Sequence, residues 1–325
     1  MRIREDPIPS PAPGEVRIDV SYAGVNFADV VMRRGLYRAA PKPPFVPGFE
    51  VSGTIGAVGE GADGFHEGDR VLAVTKFKGY TSHLVIPALQ VRKMPDGVAL
   101  AQGVAIPAVY GTAWVALHDV ARVRAGETLL VHAVAGGVGT AAVQIAKHLG
   151  LRVIGTASTD EKLEFAKGQG LDVGINYARE DFLPAVLRET GGRGVNVCVD
   201  SVGGALLERS YQAVATGGHL VIVGAADLWP ASPLGWVKTA YKAVRVRKWS
   251  AFELIEHNKS VAGLQLLRLW DALGDQGGAL DRLVELLVQG KIRPVIDKEF
   301  ALDEVGKAHR YLEERRTMGK VVLRV

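Results

Sequence analysis

The chain has 325 residues, of which 48% are hydrophobic and 23% charged, and its net charge is +4 at pH 7. This length is sufficient for about two domains of ~150 residues each, and the mildly basic balance gives no indication of a nucleic-acid partner. The single cysteine, Cys198, excludes an intrachain disulfide framework and a cysteine-rich zinc site. It lies in an apolar run at residues 195–199, where we expect a small core residue rather than a nucleophile.

The N-terminal segment is charged and rich in proline, and it has no signal-peptide pattern. The prolines of residues 8–13 favour an extended entry on the surface. No apolar run approaches the ~20 residues that are needed to span a bilayer. We therefore expect a cytoplasmic protein without a membrane span.

The first part of the chain predicts a small, strongly bent antiparallel barrel. Residues 16–23 alternate as a strand, and residues 47–61 and 67–74 are β segments punctuated by glycine. Asn26 and Asp29 lie at a strand-to-helix junction, where short polar side chains commonly cap helices. Capping is therefore the alternative to any functional role for these two side chains.

Residues 101–121 are predicted to be helical and to link this part of the chain to the next. The helix is expected to be broken at Pro107 and Gly111, because proline removes a backbone donor and glycine disfavours a helix interior. The linker is thus predicted as short helical pieces.

A strand, a glycine turn and a helix follow one another at residues 128–150. The apolar run 128–133 predicts a buried strand, and Gly136, Gly137 and Gly139 precede apolar residues at helical spacing. Such a turn lets backbone N–H groups approach a pyrophosphate at a helix N-terminus. Val134 replaces the first glycine of the usual motif, and the alternative is a tight turn that is glycine-rich for packing reasons alone.

Beyond Gly150, strands and helices alternate. The predicted strands are residues 151–158, 172–177, 195–203 and 217–226, and the predicted helices are residues 160–169, 180–190, 206–215 and 280–289. This alternation implies a parallel sheet that is covered on both faces. Residues 227–250 are predicted to be a loose basic segment, residues 261–267 a sixth strand, and residues 321–325 a final strand that returns to the first domain.

The end of the second strand of this sheet indicates which nucleotide is bound. NAD-binding folds usually carry an acidic residue there, for the ribose hydroxyls. Here Ser158 takes that place, Asp160 comes only in the next turn, and Lys162 follows. A hydroxyl and an ammonium suit a 2′-phosphate, so NADPH is favoured over NADH. The alternative is that Ser158 caps the helix and Lys162 is a solvated surface residue.

Several motifs resemble one known family along nearly the whole chain. They are AGVNFADVVMRRGLY, PGFEVSGTIGAVGEG, GDRV, VHAVAGGVGTAAVQIAKHLG, GTAS with Lys162, INY and MGKVVL. They resemble the zinc-free quinone oxidoreductase branch of the medium-chain dehydrogenase/reductase superfamily, most closely its vesicle amine transport protein 1 group. The resemblance implies an α/β protein with a GroES-like β-barrel domain at 1–108 and 272–325. A Rossmann domain with a doubly wound parallel sheet is expected at 109–271.

The departures from the zinc-dependent relatives bear on the chemistry. Asp29 and Phe49 stand where those relatives carry a cysteine and a histidine, so no ligand set for catalytic or structural zinc is expected. Without a Lewis acid, alcohol oxidation loses the group that polarises oxygen. The resemblance instead implies hydride transfer to a quinone or an α,β-unsaturated carbonyl.

The resemblance also assigns roles to individual positions. Asn26 is expected near the nicotinamide, Val31 replaces a tyrosine of some quinone reductases, and Tyr37 is the nearest hydroxyl for proton delivery, although an aromatic residue there is more often core or rim. Water is the other proton source. The expected cofactor-binding residues are Asn26, Thr112, Gly136, Gly137, Val138, Gly139, Ser158, Lys162, Tyr177, Gly224 and Ala225.

Two other functions stay open at this point. One is an enoyl reductase that acts on thioester-linked substrates, because polyketide enoyl reductases share turns of this type. The other is a nucleotide-bound protein on a lipid surface, contacted through the basic, aromatic residues 238–249, although a solvated loop is favoured. The resemblance further implies a homodimer that pairs residues 261–267 of two copies. It also implies a further strand before Arg2, without which weaker barrel packing is expected.

Overall fold

The fold is described by a computed structural model for residues 1–228, 246–273 and 277–325. Its strands are β1 Glu15–Val25, β2 Glu50–Val58, β3 Arg70–Val74, β4 His83–Pro87, β5 Val91–Lys93, β6 Thr128–Val131, β7 Arg152–Ala157, β8 Val173–Asn176, β9 Val195–Asp200, β10 Val214–Ile222, β11 Ser260–Gly263, β12 Ile296–Ala301 and β13 Lys320–Arg324. The helices within this part of the chain are α1 Phe27–Arg33, α2 Leu100–Val120, α3 Gly137–His148, α4 Asp160–Gly168, α5 Phe182–Glu189, α6 Leu206–Ala213, α7 Ala251–His257, α8 Leu266–Leu273, α9 Gly277–Val288 and α10 Val305–Glu313.

The chain divides into two compact units. Unit 1 comprises Met1–Gly111 and Leu267–Val325, and unit 2 comprises Thr112–Leu266. The sequence places the division at 108/109 and 271/272, three and five residues from these borders. That each unit is an independently folding domain stays a prediction.

Unit 1 is a GroES-like β domain built from both parts of its chain. Its strand order is β12-β13-β1-β2-β3-β5, and β4 also pairs with β1. The central strand β1 contains two register shifts against β2, which bend it. β13 pairs antiparallel with β1, so the predicted return of the C-terminal strand to this unit is confirmed. Alternate side chains of β1, such as Val16 and Ile18, are fully buried in the core.

Unit 2 is a Rossmann-type parallel sheet in the order β11-β10-β9-β6-β7-β8. The doubly wound α/β arrangement predicted from the alternation of elements is confirmed. The central strands β6, β7 and β9 are almost continuously buried, as expected for a sheet covered on both faces. Cys198 is fully buried in β9, and burial raises the pKa of its thiol well above the ordinary value, which suits a core residue.

One sequence-based boundary is wrong, and one predicted segment lies mostly outside the described residues. Of the strand predicted at 261–267, only β11 forms, and α8 begins at Leu266. Leu267 and Trp270 are three residues apart on α8 and pack in one apolar cluster with Met32 and Phe49, so helical spacing prevails there. Most of the loose segment at 227–250, including Lys238, Lys242 and Arg245, lies outside the described residues.

α2 runs without the predicted breaks at Pro107 and Gly111. Its hydrogen bonding widens to a π-helical pattern at Ile106–Tyr110 and Val115–Val120, so the chain accommodates Pro107 within the helix. The expectation that no segment is long and apolar enough to span a bilayer is therefore wrong for this helix of 21 residues with a mean hydropathy of 1.4. Its most apolar window is 78% buried in the protein, which is typical of a core helix.

Candidate functional site

The glycine turn of unit 2 joins β6 to α3. Ala133 adopts a φ of 51°, and the N–H of Gly136 donates to its carbonyl oxygen over 2.9 Å, which folds the chain back on itself. A Cβ atom at Gly139 would lie 2.5 Å from the Ala133 oxygen and 2.6 Å from the Val134 oxygen, so only glycine fits. The N-cap of α3 is Gly136, and no side chain caps the helix. The first N–H groups of α3, at Gly137, Val138 and Gly139, thus suit an anion.

The residues predicted for the adenosine end flank the ends of β7 and β8. The N–H of Tyr177 donates to Ala157 over 3.0 Å, which brings the segments after the two strands side by side. Thr159, not Ser158, is the N-cap of α4 and accepts the N–H of Lys162 at 3.3 Å. The alternative in which Ser158 caps this helix is therefore wrong. Tyr177 is 48% exposed, whereas Lys162 is half-buried in the first turn of α4.

Asp160 is the first carboxylate after Ser158 in the chain, and two partners engage both of its oxygens. The amide of Asn176 donates to Oδ1 over 2.7 Å, and the guanidinium of Arg179 lies 2.6 Å from Oδ2. The exposed Arg179 pair contributes little stability, but it offsets the negative charge. Sequence reasoning missed Asn176 and Arg179, although a basic residue just after the third strand of the sheet was a usable signal.

The segment after β10, predicted to lie on the nicotinamide side, packs against the segment after β9. A Cβ atom at Gly224 would lie 2.7 Å from the Ser201 oxygen, and one at Gly203 would lie 2.9 Å from the Cα of Ala225. The two loops therefore touch backbone to backbone. Thr112, the other residue of unit 2 predicted to contact the cofactor, is half-buried within α2.

In unit 1, Asn26 belongs to a buried polar group at the start of α1. Its Nδ2 donates to Glu50 Oε1 over 2.9 Å, and its Oδ1 accepts the Lys320 ammonium at 2.7 Å. Lys320 and Glu50 are 3% and 0% exposed and lie 2.5 Å apart. The N–H of Ala108 donates to the second Glu50 oxygen over 2.7 Å. Both polar atoms of the Asn26 side chain are thus held by the Glu50–Lys320 ion pair. Sequence reasoning missed these two charged residues.

Asp29 is fully buried and closes the first turn of α1. Its carboxylate accepts the N–H of Asn26 at 2.8 Å and that of Gly48 at 3.2 Å. The helix-capping alternative for Asp29 is therefore realised in the structure. Burial raises the pKa of Asp29 to about 7, against the lowering effect of the Asn26 N–H.

These residues do not fit a zinc ion. The oxygens of Asp29 hold backbone N–H groups, and Phe49 offers no ligand atom but packs on Tyr37 and Phe77 at ring distances of 6.1 and 6.0 Å. Among the residues that the structure describes, no three His, Cys, Asp or Glu side chains are placed to hold a metal. Val31 is buried, and Tyr37 is half-buried beside Phe49.

His309 makes the stability of unit 1 sensitive to acid. It is fully buried, its Nε2 lies 3.3 Å from the Tyr80 hydroxyl, and its Nδ1 has no partner among the described residues. Burial lowers the pKa of His309 to about 3. Because the unfolded imidazole titrates near 6.5, the stability that neutral His309 gives is complete above pH 6.5 and is lost as the pH falls towards 3.

We expect wild type to lose about 2 kcal/mol more unfolding free energy than His309→Gln between pH 7 and pH 5. Urea unfolding of both proteins at the two pH values measures this difference. The raised pKa of Asp29 acts with the opposite sign but is common to both proteins, so it cancels. Equal losses in the two proteins would contradict the prediction.

Comparisons with known proteins agree with this architecture. Residues 12–109 match the model of the alcohol dehydrogenase GroES-like domain, and residues 169–323 match that of a zinc-binding dehydrogenase. Quinone oxidoreductase-like protein 2 of Bos taurus is 33% identical over 326 residues, which cover 98% of this chain and 88% of the relative. The chain belongs to the zinc-free quinone oxidoreductase-like branch of the medium-chain dehydrogenase/reductase superfamily. The family inferred from the sequence motifs is thereby confirmed.

Other members of this branch differ in what their names describe. The synaptic vesicle membrane protein VAT-1 homolog of Danio rerio is 35% identical over 316 residues, and the match spans 95% of this chain but 64% of that relative. A quinone oxidoreductase of Escherichia coli, solved in complex with NADPH, is 28% identical with a TM-score of 0.87. The superposition covers 100% of this chain and 95% of the solved chain. The chain is therefore an oxidoreductase-family protein with a dehydrogenase nucleotide-binding domain.

Proposed function

We propose that the protein is a zinc-independent, NADPH-dependent oxidoreductase that reduces a quinone or an α,β-unsaturated carbonyl compound. The observation that carries the proposal is the glycine turn before α3. There a 12-residue helix begins without a capping side chain. A Cβ atom at Gly139 would clash with the carbonyl oxygens of Ala133 and Val134, so the turn requires glycine at this position. The E. coli relative with bound NADPH supports this assignment.

The phosphate preference rests on the residues after β7. Both oxygens of Asp160 are already engaged, by Asn176 and Arg179, so this carboxylate is a poor acceptor for a ribose 2′-hydroxyl. Ser158 does not cap α4, Lys162 lies in the first turn of that helix, and Arg179 offsets the charge of Asp160. This arrangement favours a 2′-phosphate over a free hydroxyl.

The residues of the chain have binding and orienting roles in this proposal. Bound NADPH would supply the hydride. The N–H groups at the start of α3 hold the pyrophosphate. The Glu50–Lys320 ion pair fixes the side-chain amide of Asn26, which can then orient the nicotinamide ring. Addition of hydride to a conjugated acceptor places the charge on oxygen, and one proton from water completes the reduction to a hydroquinone or a saturated carbonyl.

Replacing Lys162 with alanine tests the phosphate preference. We expect the preference for NADPH over NADH, as a ratio of kcat/KM values, to fall about tenfold because one cation near the 2′-phosphate is lost. Lys167→Ala is the matched control, since Lys167 lies on the same helix and pairs with Glu164 at 3.1 Å. A Lys162→Ala enzyme with the wild-type ratio would remove Lys162 from the proposal.

The acceptor class is settled by parallel assays. NADPH oxidation is followed with a 1,4-quinone, a free enone and an enoyl thioester at equal concentrations. Turnover of the first two supports the proposal, and turnover of the thioester alone would identify an enoyl reductase instead. Absence of NADPH binding to the purified protein would refute both.

A lipid-surface role has less support. Of the basic stretch at 238–249, the described Arg247 forms ion pairs with Glu208 and Glu253, so its charge is already compensated within unit 2. Sedimentation with anionic liposomes at low and high salt checks this directly.

We also propose a homodimer, because β11 is an edge strand that a second copy can extend. Cytoplasmic localisation remains part of the proposal.

A further inference from the structure

Unit 2 contains a buried polar cluster that has no part in the chemistry proposed above. Its members are His132, Thr156, Asp200 and Ser210, and none is more than 2% exposed. His132 follows β6, Thr156 belongs to β7, Asp200 ends β9, and Ser210 lies on α6. The cluster therefore joins the carboxyl ends of three adjacent strands, the edge at which Rossmann folds bind ligands.

The hydrogen-bond partners assign donor and acceptor roles within the cluster. Asp200 Oδ1 accepts the N–H groups of Val202 and Gly203, each over 2.8 Å, and Oδ2 lies 2.8 Å from the Ser210 hydroxyl. Since a carboxylate only accepts, Ser210 donates to Asp200 and accepts from His132 Nε2 at 3.1 Å. His132 Nδ1 then accepts from the Thr156 hydroxyl over 2.9 Å. Burial lowers the pKa of His132, which keeps the imidazole neutral.

The cluster holds the backbone of the loop that follows β9 through hydrogen bonds. Asp200 fixes residues 201–203 through two backbone N–H groups. These residues pack on the loop after β10, where Gly224 and Ala225 approach Ser201 and Gly203 too closely for added side chains. The N–H of Val223 also donates to the Asp200 carbonyl over 2.9 Å. A chain of hydrogen bonds thus runs from the strand before the glycine turn to both loops.

We propose that His132, Ser210 and Asp200 are positioning residues that hold the loops at 201–203 and 224–225 in place to receive the nicotinamide end of the cofactor. None of the three has to touch the cofactor. The inference rests on the proposed function, because it takes these loops as the nicotinamide side. It predicts that breaking the cluster weakens binding of the nicotinamide end but spares the adenosine end, which depends on α3, α4 and the end of β8.

Ser210→Ala is the test, with 2′-phospho-ADP-ribose as a probe that keeps the pyrophosphate and lacks only the nicotinamide. Titration of wild type and variant with this probe and with NADPH gives the gain in affinity that the nicotinamide end provides. We expect the affinity for the probe to stay within about twofold and the gain to fall about tenfold, because His132 and Asp200 lose their common partner. In the cofactor-free variant, amide exchange at Val202 and Gly203 should accelerate about tenfold.

Asp200→Asn and Asp200→Ala separate positioning from charge. An asparagine oxygen can keep both backbone N–H groups, while Ser210 turns its hydrogen to the Leu206 oxygen at 3.1 Å. We therefore expect Asp200→Asn to retain most of the gain in affinity that the nicotinamide end provides, and Asp200→Ala to lose this gain. Thr190→Ala is the control, since it removes a buried hydroxyl of unit 2 whose hydrogen-bond partners among the described residues are Val186, Leu187 and Gly194.

The outcomes are distinct. An unchanged gain in Ser210→Ala, or equal losses for the probe and for NADPH, would overturn the positioning role while leaving the proposed function intact. Wild type that binds neither compound would instead refute the proposed function. A Thr190→Ala protein with the same reduced gain would show that any loss of a buried hydroxyl suffices, and would likewise overturn the inference.

Discussion

Gly139→Ala is expected to lower the affinity for NADPH on the order of 100-fold, or about 2.7 kcal/mol. The added methyl carbon would lie 2.5 and 2.6 Å from two backbone oxygens, which cannot move aside as a flexible side chain would. The turn must open, and the N–H groups at the start of α3 then no longer converge on a pyrophosphate. Calorimetric titration with NADPH measures the loss.

Gly168→Ala is the matched control for this change. It adds the same methyl group within α4 of the same unit, where no atom lies within 4 Å. We expect wild-type affinity for NADPH and equal or greater thermal stability, because alanine is the better helix former. Affinities within threefold of each other in the two variants would show that the close approach at Gly139 is unimportant for binding.

Lys320→Met is expected to lower the unfolding free energy by about 3–5 kcal/mol, because it leaves the Glu50 carboxylate buried without its counter-charge. Glu50 is fully buried and Lys320 is 3% exposed, so water cannot replace the lost partner. Urea unfolding at pH 7 measures the loss. Adding Glu50→Gln to this variant removes the stranded charge and should restore more than half of the stability.

The control for Lys320 is an exposed pair of the same unit. Lys307 lies 2.6 Å from Glu304, with side chains that are 62% and 38% exposed. Solvent already screens this pair, so Lys307→Met should change the unfolding free energy by less than about 1 kcal/mol. If the Lys320 and Lys307 variants lose the same unfolding free energy, the buried pair contributes no more stability than the exposed pair.

Local patterns predicted most of unit 2. The strand, glycine turn and helix at 128–150 are encoded by neighbouring residues, and so are the caps and apolar faces of the following elements. The exceptions have physical causes. Pro107 predicts a helix break, yet α2 widens its hydrogen bonding and continues through tertiary packing. Leu266 extends an apolar run that resembles a strand, but burial of Leu267 against Met32 favours a helix.

The polar groups of unit 1 could not be predicted in the same way. Lys320 reaches Asn26 across 294 residues and Glu50 across 270, and no periodic pattern in one sequence links such distant positions. The motif MGKVVL marked the segment as a family feature but gave its lysine no partner. The sequence alone could have suggested Arg179 as a site residue, because it lies two residues after Tyr177. Its ion pair with Asp160 could not be predicted, because it depends on how the segments after β7 and β8 lie next to each other.

The buried Lys320 also dictates an order of events during protein synthesis. Glu50 is synthesised 270 residues before Lys320, its counter-charge, which lies on β13. Unit 2 is continuous in the chain and ends at Leu266. The sheet of unit 1, whose synthesis begins first, is consequently completed only after all of unit 2 has been translated.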